Sequence, residues 1–123
     1  MIEKDSILVT VKKLLNIDAE DYAFDTDIVL LINSEFMTLK QLGIGPENGF
    51  SIKDYREKWS DFSNDPDLID TLKIYVASRV RMLFDPPASS IVADALNSRI
   101  NELQWRLNVQ AESNSNREEV DSD

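Results

Sequence analysis

Cysteine and histidine are both absent from the chain. Their absence removes disulfides, thiolate zinc sites and every nucleophile–base pair built on either residue. Catalysis would have to rest on Asp, Glu and Arg, and no paired carboxylates stand in an identifiable cleft motif. The chain is therefore expected to be no enzyme and to need no cofactor or metal. Long hydrophobic runs are missing too, because charged residues interrupt each apolar stretch well before membrane-spanning length. The opening MIEKDSILVT has no basic region ahead of an apolar core, so a soluble protein made in the cytoplasm is expected. Basic residues are few, 13 against 23 acidic, and the formal charge of −10 argues against duplex nucleic acid as a direct partner.

What remains is 123 residues, enough for one domain with a real core and too few for two comfortable ones. Apolar positions recur at helical spacing almost throughout. Ile7, Leu8, Val11, Leu14 and Leu15 mark a first helix over about 5–15. An acidic linker follows, with five carboxylates and no base in DAEDYAFDTD. Asp25 is expected to cap a second helix whose stripe is Ile28, Leu31, Ile32, Phe36, Leu39 and Leu42, and Gly43 to end it in a left-handed conformation. GIGPENGFSI reads as turns. Ser51 and Asp54 suggest a weak capping box for a short helix in SIKDYREKWSDF, which would set Tyr55 and Trp59 on one face.

Asp65 as cap and Pro66 in the first helical position open the next helix, with Leu68, Leu72, Val76, Val80 and Leu83 inward. Asp85, Pro86 and Pro87 must stop it and act as a structural hinge, since a proline forces the preceding residue out of helical geometry. Ser89 or Ser90 then caps a last helix to about Val109, and the short connection implies an antiparallel helical hairpin. The fold class is thus all-α: a compact helical bundle over 1–109 with a long C-terminal hairpin. An acidic tail over 110–123, QAESNSNREEVDSD, carries five acids against one arginine. With no hydrophobic period it is expected to be disordered or ordered only by a partner.

Acidic clusters invite a metal, but DAEDYAFDTD lacks the alternating ligands, central glycine and terminal glutamate of a calcium loop. It reads as a solvated linker. GIGP ends a helix instead of opening one and has no lysine in place, so it is no phosphate cradle. Arg79 and Glu35 each fall inside the apolar arc of their helices, where an unpaired charge is costly. A buried Glu35–Arg79 ion pair is one reading; the other is that each stem packs while its head reaches water.

The last helix has two apolar sides. With Ile91 at the origin of a helical wheel, Leu96, Ile100, Leu103 and Leu107 share one side, whereas Ile91, Trp105 and Val109 share another. Tryptophan flanked by Arg99 and Arg106 is a composition enriched at interface hot spots, so this second side is a candidate interface.

LLINSEFMTLKQLGIGPENGFSI, KWSDF and IYVASRVRMLFDPPASSIVADALNSRINELQWRLNVQAE resemble the head–tail connector proteins of tailed bacteriophages, also called head completion or adaptor proteins. RVRMLFDPPASS and ELQWRLN are the most specific pieces. The resemblance implies a structural virion protein at the head–tail interface. It would form a homo-oligomeric ring, dodecameric by the symmetry usual in that family, under the portal protein. The ring would extend the DNA channel without reading sequence and would dock a tail-side stopper or completion protein. It also implies that the C-terminal segment reaches toward the portal, which adds Gln110 and Glu112 to the candidate oligomer or portal interface. A small cytoplasmic helical regulator would share this composition, and a single-strand binder could stack bases on Tyr55, Trp59 and Phe62 but lacks a surrounding basic groove.

Overall fold

A computed structural model describes the backbone of residues 5–121 and the side chains through residue 113. Five helices follow one another: α1 (Ile7–Leu14), α2 (Asp25–Gln41), α3 (Trp59–Phe62), α4 (Pro66–Phe84) and α5 (Ser90–Asp121). Among the described residues no strand occurs, and only an isolated antiparallel bridge joins Ser6 to Lys58. The protein is all-α, with α4 at the centre in contact with α1, α2 and α5.

Local chemistry sets the helix ends. Ser6 Oγ accepts the Val9 N–H and caps α1. At its other end Asn16 takes φ 61°, Ile17 N–H reaches Lys12 O at 2.8 Å and Asn16 N–H reaches Lys13 O at 3.1 Å. This is the Schellman closure, and α2 repeats it with Gly43 at φ 82° and Ile44 N–H on Leu39 O at 2.9 Å. Asp65 accepts from the N–H groups of Asp67 and Leu68 to cap α4, with Pro66 in the first helical position. Asp85 leaves the helix at φ −150°, ψ 72°, as the following proline demands. Ser89 Oγ then accepts the Val92 N–H and starts α5.

The core gathers Ile7, Leu8 and Val11 of α1, Ile28, Ile32, Phe36 and Leu39 of α2, the α4 residues Leu72, Tyr75, Val76 and Val80, and Ile100, Leu103 and Leu107 of α5. Trp59 is fully buried. Its indole Nε1–H donates to Thr10 Oγ1 at 3.1 Å, and the Thr10 hydroxyl donates in turn to Ser6 O at 2.7 Å. Phe36 stacks on Phe62 at 5.1 Å, with Phe50 edge-on to both. Gly45 lies against this cluster at φ 96°, where a Cβ would stand 2.4 Å from the Phe62 ring. Asn33 holds the intervening loop by exchanging two hydrogen bonds with the Ile52 backbone, 2.7 and 2.9 Å.

Several expectations are corrected. Asp25 is the first residue of α2 and Phe24 precedes it, with no side-chain cap. The short helix in SIKDYREKWSDF is only the turn at Trp59–Phe62. Its start is organised by Asp61 accepting the Lys58 N–H, while Glu57 takes the N–H groups of Lys53 and Asp54. Tyr55 and Trp59 therefore share no face, one being exposed and the other buried. Leu83 is exposed, because the last turn of α4 packs through Phe84, edge-on to Phe24 at 5.3 Å.

The helix α5 does not end near Val109. It continues unbroken to Asp121, through residues expected to belong to the tail. Nucleating a helix is its expensive step, and here α5 is already formed before the tail begins. Ala, Glu, Gln and Arg then extend it, against the weaker helix propensity of the Ser and Asn run at 113–116.

Candidate functional site

Gln110 Nε2 donates to Asp65 Oδ2 at 3.1 Å. Asp65 caps the start of α4 and Gln110 lies twenty residues into α5, so the two helices run in opposite directions along one another from the Asp85–Pro86–Pro87 link. Nineteen residues of α4 span about 28 Å and the 32 of α5 about 48 Å at 1.5 Å per residue. Beyond Ala111, which still packs on the core, α5 has passed the beginning of α4.

The inward side of α5 buries Ile100, Leu103 and Leu107 and half-buries Leu96. The opposite side is open: Ile91 is 80% exposed, Trp105 65% and Val109 40%. Arg99 Nη1 and Arg106 Nη2 both reach Glu102, at 3.2 and 2.7 Å, so two guanidinium groups share one carboxylate beside Trp105. Each uses one of its five N–H donors there and keeps the rest. Of the residues expected at the interface, Ile91, Arg99, Trp105, Arg106, Val109 and Glu112 are exposed, while Gln110 is half-buried and engaged by Asp65.

Glu35 and Arg79 come together across the α2–α4 contact. Arg79 Nε donates to Glu35 Oε1 at 2.8 Å. That bond holds the Arg79 guanidinium above its ordinary range. Next to the pair, burial pushes the Tyr75 hydroxyl up, the Glu35 charge adds to the rise, and Arg79 counteracts it.

A second buried charge has no precedent in the sequence reading. Lys12 is 2% exposed, and its ammonium donates to Ala19 O at 3.1 Å and Asp21 O at 2.7 Å. Asp25 Oδ1 lies 2.7 Å away as an ion-pair partner whose angles fall outside those of a hydrogen bond, and the Tyr22 ring stands 5.3 Å off. The acidic linker is thus wrapped around one lysine. Its placement beside Val11 on the α1 sequence is the only available signal, and backbone carbonyls leave no signature in a sequence.

Concave features carry little chemistry. An open groove of about 610 Å³ lies at the hinge end, with Leu15, Ile17, Phe24 and Phe84 as its apolar lining and Arg81 and Asp85 at hand. Among the described residues no three Asp or Glu side chains converge as a metal site requires. Among the described residues no helix is long and apolar enough to cross a membrane. Trp59 and Phe62 are buried, so they are closed to stacking on nucleic-acid bases.

These features define an all-helical protein with exposed apolar side chains along the outer face of α5. A family model described as phage connector protein matches residues 7–114, and the chain belongs to that family. It is a structural protein of the head–tail connector type and a component of the phage virion. No curated protein matches the chain at a significant level, and no solved structure does.

Proposed function

We propose that the chain assembles as a ring beneath the portal, extends the DNA channel and presents a surface to the next tail-side component. The observation that carries this reading is the outer side of α5. Ile91, Trp105 and Val109 are exposed there although the same helix buries Ile100, Leu103 and Leu107 on its other side. A free helix face with a tryptophan between two arginines is suited to contact with another protein. Rings require heterologous contacts, in which one face of a subunit meets a different face of its neighbour. The family's usual symmetry makes twelve copies the expected number.

The charge of −10 suits a passage for DNA. An acidic wall does not grip phosphates, whereas a basic one would retard the duplex. The end of α5 from Gln110 onward is the segment assigned to the portal, with Glu112 at its exposed start. Assembly is ordered: the free subunit is monomeric or weakly associated and closes into a ring on the portal.

Electron microscopy of the protein mixed with portal tests this directly, together with light scattering of the protein alone at micromolar concentration. A ring seated on the portal and a monomer in its absence are expected. A stable monomer that ignores portal would overturn the reading in favour of a small helical regulator. Closed rings without portal would overturn the ordered assembly alone.

A further inference from the structure

A heterologous ring needs a second face, and α2 carries one. Its residues Asp27, Leu30, Ser34, Met37 and Gln41 are all exposed and stand three and four apart. Leu30 and Met37 are among the more exposed large apolar side chains, at 64% and 66%. On α5 the exposed residues Ile91, Ala95, Ser98, Glu102, Trp105 and Val109 follow the same alternation of four and three. Alternating three- and four-residue spacing is the pattern by which one helix seats its side chains between those of another at a shallow angle. The two rows are of similar length, about 21 Å and 27 Å at 1.5 Å per residue. Neither row is covered by another element of the subunit.

Charge decides which surface meets which. Copies of a chain at −10 repel unless cations on one meet acids on the other. The outer side of α5 holds Arg99 and Arg106 on one flank, sharing Glu102 between them, and the exposed Asp94 and Glu112 on the other. The α2 row begins at Asp27, which makes no ion pair among the described residues, and the linker leading into it adds the exposed Asp18, Glu20 and Asp21. Lys12 of α1, around which that linker wraps, is engaged by Asp25 and two carbonyls.

Resting on the ring reading above, we propose that the α2 row of one subunit receives the outer face of α5 from the next, with Leu30 and Met37 against Trp105 and its neighbours and Asp27 facing the arginine flank. α5 against α5 would instead place like charges and the two arginine pairs together, and would give a closed dimer.

The lack of cysteine makes this testable by thiol chemistry. Ser34→Cys and Ser98→Cys change one atom each at exposed positions near the middle of the two rows. A short bis-maleimide is added to the double variant after mixing with portal. Covalent products extending past the dimer to a ladder of higher oligomers are expected, with neither single variant giving a ladder. Dimers from Ser98→Cys alone would overturn the proposal by showing α5 on α5. Rings visible by electron microscopy with no ladder from the double variant would overturn the α2 assignment and leave the ring standing. Absence of rings and of cross-links would overturn both.

Discussion

Arg79 on α4 and Glu35 on α2 share one hydrogen bond of 2.8 Å, with the carboxylate 2% exposed and the guanidinium 38%. The unequal burial makes the two partners unequal in consequence. Arg79→Ala strands a carboxylate in the core, and an uncompensated buried charge costs about 3–5 kcal/mol, reduced here toward about 2–3 because Arg79 is partly solvated. Replacing both residues with methionine removes the stranded charge and should lie within about 1 kcal/mol of the parent. Urea unfolding of the single and double variants reads the difference; equal losses in both would show that packing of the stems, not charge, holds this contact.

The sequence offered the pair as one of two readings because two charges fell inside two apolar arcs, and seventeen- and nineteen-residue helices define their arcs well. The same reasoning weakens where helices are short. α1 has eight residues, too few to show that Lys12 is enclosed, and the partners of that lysine are backbone carbonyls of the linker, which leave no mark on a sequence. Trp59 was read as one face of a helix that proves to be a single turn, so its burial against Phe36 and Thr10 came from tertiary packing alone. The tail beyond Val109 was judged on its own composition, whereas its helicity depends on the turns before it. Caps and stops fared better at Asp65, Pro66, Asp85 and Gly43, because each acts on backbone within a few residues of itself and needs no distant partner.

Lys12→Met keeps most of the buried stem and removes the ammonium that holds Ala19 O, Asp21 O and Asp25. Two carbonyls then lose their donor and a carboxylate its counter-ion, at a cost of about 2–4 kcal/mol. The loss should be local as well as global. Amide hydrogen exchange in residues 16–24 should accelerate by more than the change in overall stability accounts for. Uniform acceleration across the chain would mean that the lysine supports α1 packing and does not fasten the linker.

Tyr75 links stability to alkaline pH. Its pKa is raised in the folded protein from an ordinary value of 10.0 by burial first and by the Glu35 charge second. The unfolded chain therefore loses this proton before the folded one. The neutral hydroxyl contributes full stability below pH 10, and that contribution falls as pH rises toward the folded pKa. Tyr75→Phe should flatten the decline above pH 10 in a comparison of urea midpoints with the parent. An unchanged slope in the variant would assign the alkaline loss to other groups.

Trp105 and Leu103 sit two residues apart on α5 and face opposite ways, one 65% exposed and the other 2%. Leu103→Ala removes buried methyl groups and leaves a cavity, which should cost about 2–5 kcal/mol of folding stability. Trp105→Ala removes little that the folded subunit uses and should leave the melting temperature nearly unchanged. Its effect belongs to assembly, where loss of an aromatic anchor should weaken ring or portal contact by about 2 kcal/mol, or roughly thirtyfold in apparent Kd. Thermal melts of both variants, set beside portal binding by each, separate the two roles. A Trp105→Ala protein that melts like Leu103→Ala and still assembles would make the indole part of the core, and the outer face of α5 would lose its anchor.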